Sequence, residues 1–425
     1  MPVAGQDAIS APHRFGGVLW QRNFRLLWVG ESISAIGNAM AVVGVPLLAV
    51  ESLHASTFVV AALTAAAYLP WLVIGLPAGV WVDRLPRRPL MIICDVVSAL
   101  LYASLPIAAW LGALTIGQVV IVALAAGSCN VFFSTAYRAY LPSLVTAADL
   151  IEGNAKLQGS MSVANICGRG AAGIVAQAVG YAAALLFNAA SFLVSAACLL
   201  LIRTGTPPHE PVPRDTVRAE ISAGIRFIAR DRFLRPLTIY PAVSNLAYSG
   251  STALVVVFLI RVAGFGAAAV GLLMAFAGIG GLLGAVTARR LARRLGTART
   301  LWLSALGTGL FGLLIPLTAT GPRAACYAIG SAVVAAGIII FNTIASSFRQ
   351  TYCPPSMLGR ITASMSFLVF GSIPLGALLA GALGDTLTVR AALWVTLTIY
   401  ALSGTLLLTP VLRTERDLPS QAAAS

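Results

Sequence analysis

Long apolar stretches alternate with short polar connections along almost the whole chain. Each stretch is about 20 residues or longer, which is the length that an α-helix needs to cross roughly 30 Å of hydrocarbon. The twelve stretches lie near residues 24–50, 57–81, 89–110, 116–137, 156–179, 182–202, 237–260, 267–288, 299–319, 323–346, 361–384 and 390–412. The pattern predicts an all-α polytopic membrane protein with twelve transmembrane helices.

Sequence repetition predicts that these helices form two six-helix pseudo-repeats. The segment GLPAGVWVDRLPRRPL at residues 75–90 matches GLLGAVTARRLARRLG at residues 281–296. The identical pairs are Gly75/Gly281, Leu76/Leu282, Val80/Val286, Arg84/Arg290, Leu85/Leu291, Arg87/Arg293 and Arg88/Arg294. Two further segments, GRGAAG at 168–173 and GALLAG at 376–381, repeat at a similar offset. Parallel repeats of this kind build one class of secondary transporter.

The repeats define the predicted domain organisation. The N-terminal half covers residues 24–202 and the C-terminal half covers residues 237–412. A cytoplasmic segment, 1–23, precedes them, and a cytoplasmic tail, 413–425, follows them. The linker at 203–236 is rich in proline and arginine.

The linker contains a pattern typical of a basic amphipathic helix. Its apolar face is formed by Ile221, Ile225, Phe227 and Ile228, opposite Arg226 and Arg230. A helix of this kind tends to lie at a membrane surface, where it could tether the two halves. The alternative is a solvated connector.

The composition excludes a water-soluble protein. The chain is 58% hydrophobic and only 10% charged, which is too apolar for a fold that needs a polar exterior. The net charge is +14, and its arginines concentrate in the connections on one side of the predicted bundle. That asymmetry predicts a cell (inner or plasma) membrane protein with both termini in the cytoplasm and arginines facing anionic lipid. We expect no nucleic-acid partner, because no soluble basic domain is present.

Three ionisable residues fall inside the predicted spans, namely Glu31, Asp95 and Arg169. Such groups are costly in the bilayer and usually face a cavity or a partner. Glu31 could pair with Arg169. Asp95 could pair with loop arginines or a neighbouring helix, or contact substrate. Arg169 could also hold an anionic group on the substrate or fill a structural gap.

The other polar residues that could line a cavity are amides. They are Asn38, Asn130, Asn245 and Asn342. Amides offer donors and acceptors to a substrate without the cost of a charge, but they can equally bond between helices. Aromatic residues accompany them: Trp28, Tyr68, Trp71, Phe132, Phe133, Tyr137 and Tyr248. Such a lining suits a bulky amphiphile better than a sugar.

The sequence lacks the motifs that are typical of several other functional classes. No phosphate-binding loop of the form Gly-x-x-x-x-Gly-Lys-Ser/Thr occurs, which argues against an ATP-driven pump. His13, His54 and His209 all lie outside the spans, so we expect no metal site and no cofactor. The spans contain no combination of a nucleophile and a general base that would indicate an enzyme. We expect a monomer whose partners are a small-molecule substrate, protons and the lipid bilayer.

The connection between the second and third spans resembles the loop signature of the major facilitator superfamily. That signature, Gly-x-x-x-Asp-Arg-x-Gly-Arg-Arg, corresponds to Gly79, Asp83, Arg84, Arg87 and Arg88, with proline where its second glycine is usual. An acid at one helix end and arginines at the next can form charge-assisted bonds, so the loop is a candidate conformational latch. The alternative is that its arginines only determine topology.

Further segments resemble a bacterial subgroup that includes enterobactin exporters and macrolide efflux proteins. They are NFRLLWVGESISAIGNAM, YRAYLPSLV followed by IEGNA, and RQTYCPPSMLGRITA. The resemblance implies transport by alternating access, with the first helix of each half lining the central cavity. Glu31 then becomes the leading proton-coupling candidate and Asp95 the second. The subgroup usually has Gln near Glu31 and Pro at the position of Arg169.

We therefore expect a secondary active transporter, namely a proton-coupled exporter (antiporter) of small amphiphilic molecules such as antibiotics, secondary metabolites or siderophores. The alternatives are an importer of a small metabolite and a non-transporting membrane sensor on the same fold.

Overall fold

The computed structural model describes residues 17–146, 149–203 and 217–419. Most of the predicted N-terminal segment, part of the linker and the end of the tail lie outside the described residues. The described ranges are almost entirely helical and contain no strand. The helices are α1 (Arg22–Glu51), α2 (Thr57–Val73), α3 (Gly75–Arg84), α4 (Arg87–Trp110), α5 (Ile116–Tyr140), α6 (Leu150–Val179), α7 (Tyr181–Leu201), α8 (Val217–Arg230), α9 (Leu234–Val257), α10 (Ala267–Leu295), α11 (Thr297–Gly312), α12 (Ala324–Tyr352), α13 (Pro355–Thr386), α14 (Val389–Ser403) and α15 (Pro410–Thr414).

The helices confirm the predicted fold class of a twelve-span membrane protein. Within the described residues, ten segments are long and apolar enough to cross a membrane, and α2 is a shorter apolar helix. The second span is α2 continued by α3. The fifth is α6, which is as long as α1 but carries more polar residues.

Three predicted spans differ from the structure, and a proline interrupts two of them. The second span, predicted as continuous over 57–81, breaks at Ile74 between α2 and α3. A proline ring clashes with the carbonyl of the fourth residue before it, and Pro77 stands four residues after the last residue of α2. In the same way, Pro316 follows the end of α11 by four residues, so the ninth span ends early as an α-helix. The twelfth span ends at Ser403, followed by a 3-10 turn and Pro410.

Each half packs around its own first helix. In the N-terminal half, α1 contacts α6 and α7, while α4 joins α5 to α7. In the C-terminal half, α9 contacts α13 and α14, and α12 lies between α10 and α11. The order of buried and exposed positions over residues 31–44 of α1 recurs without change over residues 241–254 of α9. The repeat seen in sequence is therefore also a repeat in packing.

Two helix pairs join the halves. They are α6 with α10, and α2 with α13. Both pairs set the fifth span of one half against the second span of the other, so a pseudo-twofold axis relates them. We call the end of the bundle that carries the α3–α4 connection and the C-terminus of α10 the arginine-rich end, and the opposite end the arginine-poor end.

The amphipathic helix α8 packs on the C-terminal half at the arginine-rich end. It contacts α13 and α9, and Ile228 is 5% exposed. A Cβ atom added to Gly224 would lie 2.7 Å from the carbonyl oxygen of Arg360 on α13. Ile225, another residue of the predicted apolar face, is exposed. The helix therefore docks on α13 through Gly224 and Ile228.

Candidate functional site

The two halves touch closely at the arginine-poor end. A Cβ atom added to Gly271 of α10 would lie 2.7 Å from the Arg169 carbonyl oxygen and 2.8 Å from the Gly173 Cα atom, both on α6. Across the axis, a Cβ atom added to Gly381 of α13 would lie 2.6 Å from the Ala61 Cβ atom on α2. Only glycine allows backbones to approach this closely.

The predicted glycine repeat explains this packing. Gly168 packs against Ile36 of α1, and Gly376 packs against Leu246 of α9. The first glycine of each repeat therefore contacts the first span of its own half. The last glycine of each repeat, at 173 and 381, contacts the second span of the opposite half.

Four residues after each repeat, a side chain caps a helix of the opposite half. The Oε1 atom of Gln177 accepts a hydrogen bond of 3.1 Å from the N–H of Ala268, at the start of α10. The Oδ1 atom of Asp385 accepts a hydrogen bond of 3.2 Å from the N–H of Phe58, at the start of α2. These symmetric caps satisfy N–H groups that have no partner within their own helices.

The space between the halves opens toward the arginine-rich end. One face of α6 carries three residues spaced seven positions apart, namely Gly159, Ile166 and Gly173. Ile166 and Gly173 contact α10, whereas a Cβ atom added to Gly159 would have no atom within 4 Å. The same holds for Gly359 near the start of α13. The bundle is therefore closed at the arginine-poor end and open beyond the middle of these helices.

Glu31 lies on α1, nine residues from the start of the helix at the arginine-rich end, which is about 14 Å along the axis. Its Oε1 atom is buried and has no hydrogen-bond partner. The side chains of Asp95 on α4 and Tyr137 on α5 lie within electrostatic range. A buried carboxyl oxygen without a partner is costly in a membrane span.

Glu31 forms no ion pair with Arg169. No nitrogen–oxygen contact of 4 Å or less joins these two described residues. Arg169 instead lies deeper in the bundle, because its neighbour Gly168 packs at the level of Ile36 and Ala39. The alternative in which Glu31 is a paired structural carboxylate does not apply to this conformation.

Asp95 is 2% exposed, and its Oδ2 atom has no hydrogen-bond partner. Ser195 of α7 lies beside its carboxyl group, and a Cβ atom added to Gly30 of α1 would lie 3.2 Å from the Ser195 Cα atom. Ser195 therefore packs between the part of α4 that carries Asp95 and the part of α1 that carries Glu31. Asp95 interacts with a neighbouring helix rather than with the loop arginines.

Arg169 carries a cation between the halves without an acidic partner. Its Nε atom is buried and unpaired, and its Nη2 atom makes only a long hydrogen bond, 3.4 Å, to Asn165 on the same helix. The side chains of Tyr68, Tyr248 and Tyr327 lie within electrostatic range of the guanidinium.

The four predicted cavity amides form no side-chain hydrogen bond with any described residue. The other four asparagines all do, namely Asn23, Asn154, Asn165 and Asn188. Asn130 on α5 and Asn342 on α12 are exposed, and Asn130 lies on the face opposite the exposed Ile121. Side-chain bonds between the described helices therefore do not account for Asn38, Asn130, Asn245 and Asn342.

The loop arginines bond helix ends within their own half. Arg87 donates to the carbonyl of Ala139 at the end of α5, at 3.0 Å. Arg88 donates to the carbonyls of Leu199 and Leu200 at the end of α7, both at 2.8 Å. These bonds complement the negative ends of two helix dipoles. Arg84 is exposed, Gly79 has open space around it, and the side chain of Asp83 is outside the described part of the structure. A latch between the halves stays a prediction.

Sequence reasoning missed several residues of this region. Gln177 and Asp385 lie at matching offsets from the glycine repeat, and that shared offset could have identified them. Asn188 is fully buried against α1 with its Nδ2 atom unpaired, and no sequence signal distinguished it. Among the described residues, no group of three or more His, Cys, Asp or Glu side chains could hold a metal ion.

Comparison with known proteins gives a consistent family match. A family model described as Major Facilitator Superfamily matches residues 27–374. The multidrug efflux pump Tap of Mycolicibacterium fortuitum is 28% identical over 398 residues, covering 91% of this chain and 95% of the relative. The enterobactin exporter EntS of Shigella boydii is 26% identical over 419 residues, covering 95% of both.

Solved structures share the fold at low sequence identity. The nucleoside transporter NupG matches with a TM-score of 0.75 and 11% identity, covering 92% of this chain and 99% of that one. A bacterial homologue of the iron transporter ferroportin, in an inward-facing state, matches with a TM-score of 0.68 and 16% identity, covering 93% and 99%.

Proposed function

This chain belongs to the major facilitator superfamily, and we propose that it is a proton-coupled exporter (antiporter) of small amphiphilic molecules such as antibiotics, secondary metabolites or siderophores. The observation that carries the proposal is the buried carboxyl of Glu31, which has an oxygen without a partner on a helix between the closed end and the open end. An uncompensated acid in a membrane span is costly, so its presence there indicates a function.

In the proposed cycle, Glu31 carries the proton and Asp95 is the second candidate. Because the unpartnered Oε1 atom of Glu31 is buried, the carboxyl exchanges its proton only when a conformational change lets water reach it. The carboxyl of Glu31 takes up a proton from outside as the transporter changes to the state that is open to the cytoplasm. Deprotonation to the cytoplasm accompanies the uptake of substrate from it.

The lining of the open space supports an amphiphilic substrate. Amides free of internal hydrogen bonds lie on α1, α5, α9 and α12, and aromatic side chains accompany them. Trp71 of α2 contacts Phe370 of α13 at 5.4 Å between ring centroids, which places an aromatic pair between the halves. Tap and EntS are named as exporters of drugs and of a siderophore, which favours the same direction here.

The proposed orientation places the arginine-rich end in the cytoplasm of a cell-membrane protein. Arginines cluster at the ends of α3 and α10, in keeping with the excess of positive charge in cytoplasmic connections. The open side would then receive substrate from the cytoplasm.

The test is compound accumulation in cells that express the parent protein, Glu31→Gln or Glu51→Gln at matched levels. Glu51 ends the same helix at the arginine-poor end, so its substitution removes a carboxylate from α1 without touching the proposed site. The panel contains antibiotics, dyes and catecholates, each measured with and without a protonophore.

We expect the parent and Glu51→Gln proteins to lower the accumulation of some compounds, and we expect both the protonophore and Glu31→Gln to abolish that effect. If Glu31→Gln still exports, Glu31 is structural and Asp95 becomes the coupling candidate. If the parent protein raises accumulation of a polar metabolite and lowers none, the exporter proposal is wrong.

A further inference from the structure

Arg169 lies within the part of α6 that packs closely on the opposite half, because Gly173 and Ile166 on either side of it both contact α10. The backbone of Arg169 abuts Gly271 of α10, and its neighbour Gly170 contacts Leu272 and Ala275 of the same helix at 3.8–3.9 Å. On the other side, Gly168 packs against Ile36 of α1. The side chain of Arg169 therefore starts from a backbone position that is fixed between α1 and α10.

The guanidinium of Arg169 is incompletely satisfied. Nε is buried without a partner, and the single bond to Asn165 is long for a charged donor. Nη1 also has no hydrogen-bond partner, yet it is not sealed from solvent. Glu31 and Asp95, the carboxylates farthest from the helix ends, do not pair with it. Planar donors in a fork match a carboxylate or another oxyanion.

Phenol groups from both halves lie within electrostatic range of this cation. Tyr68 belongs to α2 of the N-terminal half, whereas Tyr248 on α9 and Tyr327 on α12 belong to the C-terminal half. Neither the Tyr68 nor the Tyr248 hydroxyl forms a hydrogen bond with another described residue. Both hydroxyls can donate to an anion, and both rings can stack on an aromatic ligand.

We propose that Arg169, Tyr68 and Tyr248 form an anion subsite that binds the carboxylate, catecholate or similar acidic group of an aromatic substrate. The inference deepens the proposed export function by naming the charge class of its substrate. A ligand held in this way contacts both halves at once, and its binding therefore responds to their relative movement. An uncompensated buried guanidinium is costly, and a substrate anion supplies the missing partner.

The experiment measures equilibrium binding to the purified, detergent-solubilised full chain. The probes are dansylglycine, which carries a carboxylate and a fluorescent aromatic ring, and its uncharged amide. The variants are Arg169→Gln, Arg169→Lys and Tyr68→Phe. Arg413→Gln is the control, because it removes an equal charge from an exposed position on α15. The chloride concentration is varied in one series to detect competition by an inorganic anion.

We expect the parent and Arg413→Gln proteins to bind the acid about tenfold or more tightly than the amide, which corresponds to about 1.4 kcal/mol. Arg169→Gln should remove that preference while still binding the amide, and Arg169→Lys should restore part of it. Binding of the amide by Arg169→Gln shows that the variant is folded.

Equal affinity of the parent protein for both probes, or absence of acid binding, overturns the inference. A preference that persists in Arg169→Gln overturns it as well. If chloride abolishes the preference, the subsite holds an inorganic ion and the substrate assignment is wrong. This binding assay depends neither on transport nor on Glu31. A negative result therefore rejects the anion subsite without rejecting the export proposal, which the accumulation assay tests.

Discussion

The two symmetric helix caps at the arginine-poor end predict how firmly that end is closed. Asp385 and Gln177 each accept a hydrogen bond from the first turn of a helix in the opposite half. The N-terminal residue before α10 is Gly266, which has no side chain to cap its own helix, so Gln177 supplies the missing acceptor. The substitutions Asp385→Ala and Gln177→Ala remove these acceptors.

The expected effect follows from the value of a helix cap. Loss of an N-cap side chain costs about 0.5–2 kcal/mol, and exposed caps fall in the lower part of that range because water replaces the lost bond. Both residues are exposed, so we take about 0.5–1 kcal/mol each. The sites belong to different helix pairs, so their effects should add to about 1–2 kcal/mol. The ratio of open to closed molecules should therefore rise about 5- to 30-fold.

Distances between spin labels across the arginine-poor end measure this ratio. Ala113→Cys and Thr320→Cys place labels on exposed connections of the two halves in a background without native cysteines. The double variant should show an increased fraction at the longer distance, and Asp385→Asn, which retains an acceptor, should resemble the parent. Thr386→Ala is the matched control, because its hydroxyl bonds only within α13. An unchanged distance distribution in the double variant, or an equal change in the control, would refute the reasoning.

Three further predictions follow from single contacts. Gly271→Val should shift the distances between the same spin labels toward the open form and lower transport, because the added side chain meets the backbone of α6. Gly307→Ala, which adds an atom in open space, should change neither the distances nor transport. Asn245→Ala should weaken substrate binding in a direct binding assay without lowering the thermal unfolding midpoint, because its amide makes no bond within the described structure; a lowered midpoint would contradict this. Arg88→Gln should destabilise the N-terminal half by about 1 kcal/mol through loss of the bonds to the end of α7, measured by thermal unfolding, whereas the exposed Arg84→Gln should have a smaller effect.

The length and spacing of the apolar stretches were sufficient to predict the fold, because lipid imposes strong constraints on sequence. A membrane span must be long, apolar and helical, since its backbone finds no water to bond. The fifth span is the weakest case, because Arg169 and other polar residues lower its hydropathy, yet it is a 30-residue helix. Helix ends were predicted less well. The break at Ile74 depends on which of two prolines, Pro70 or Pro77, interrupts the helix, and only Pro77 does so.

The chemistry of the site could be predicted only in part. Glu31, Asp95 and Arg169 could be identified from the sequence, because ionisable residues are rare and costly within apolar membrane spans. Their partners could not be predicted, since a pairing depends on the relative depth and rotation of helices that are distant in sequence. Arg169 and Glu31 differ in depth by more than a helical turn, as the packing of Gly168 against Ile36 indicates. The amides showed the same limit, because only the structure distinguishes the four that are free from the four that are bonded.

The glycine repeat connects the prediction of the fold with the proposed mechanism. One glycine in each repeat fixes the fifth span of a half to its own first span, which carries Glu31 in the N-terminal half. Another glycine, with the cap four residues later, holds the same span against the opposite half. Arg169 lies between these two contacts on α6. A movement that separates α6 from α10 must therefore move Arg169 relative to Tyr248 on the other half, while its spacing to α1 is preserved. In the proposed mechanism, α6 thereby couples substrate binding at Arg169 to closure between the halves.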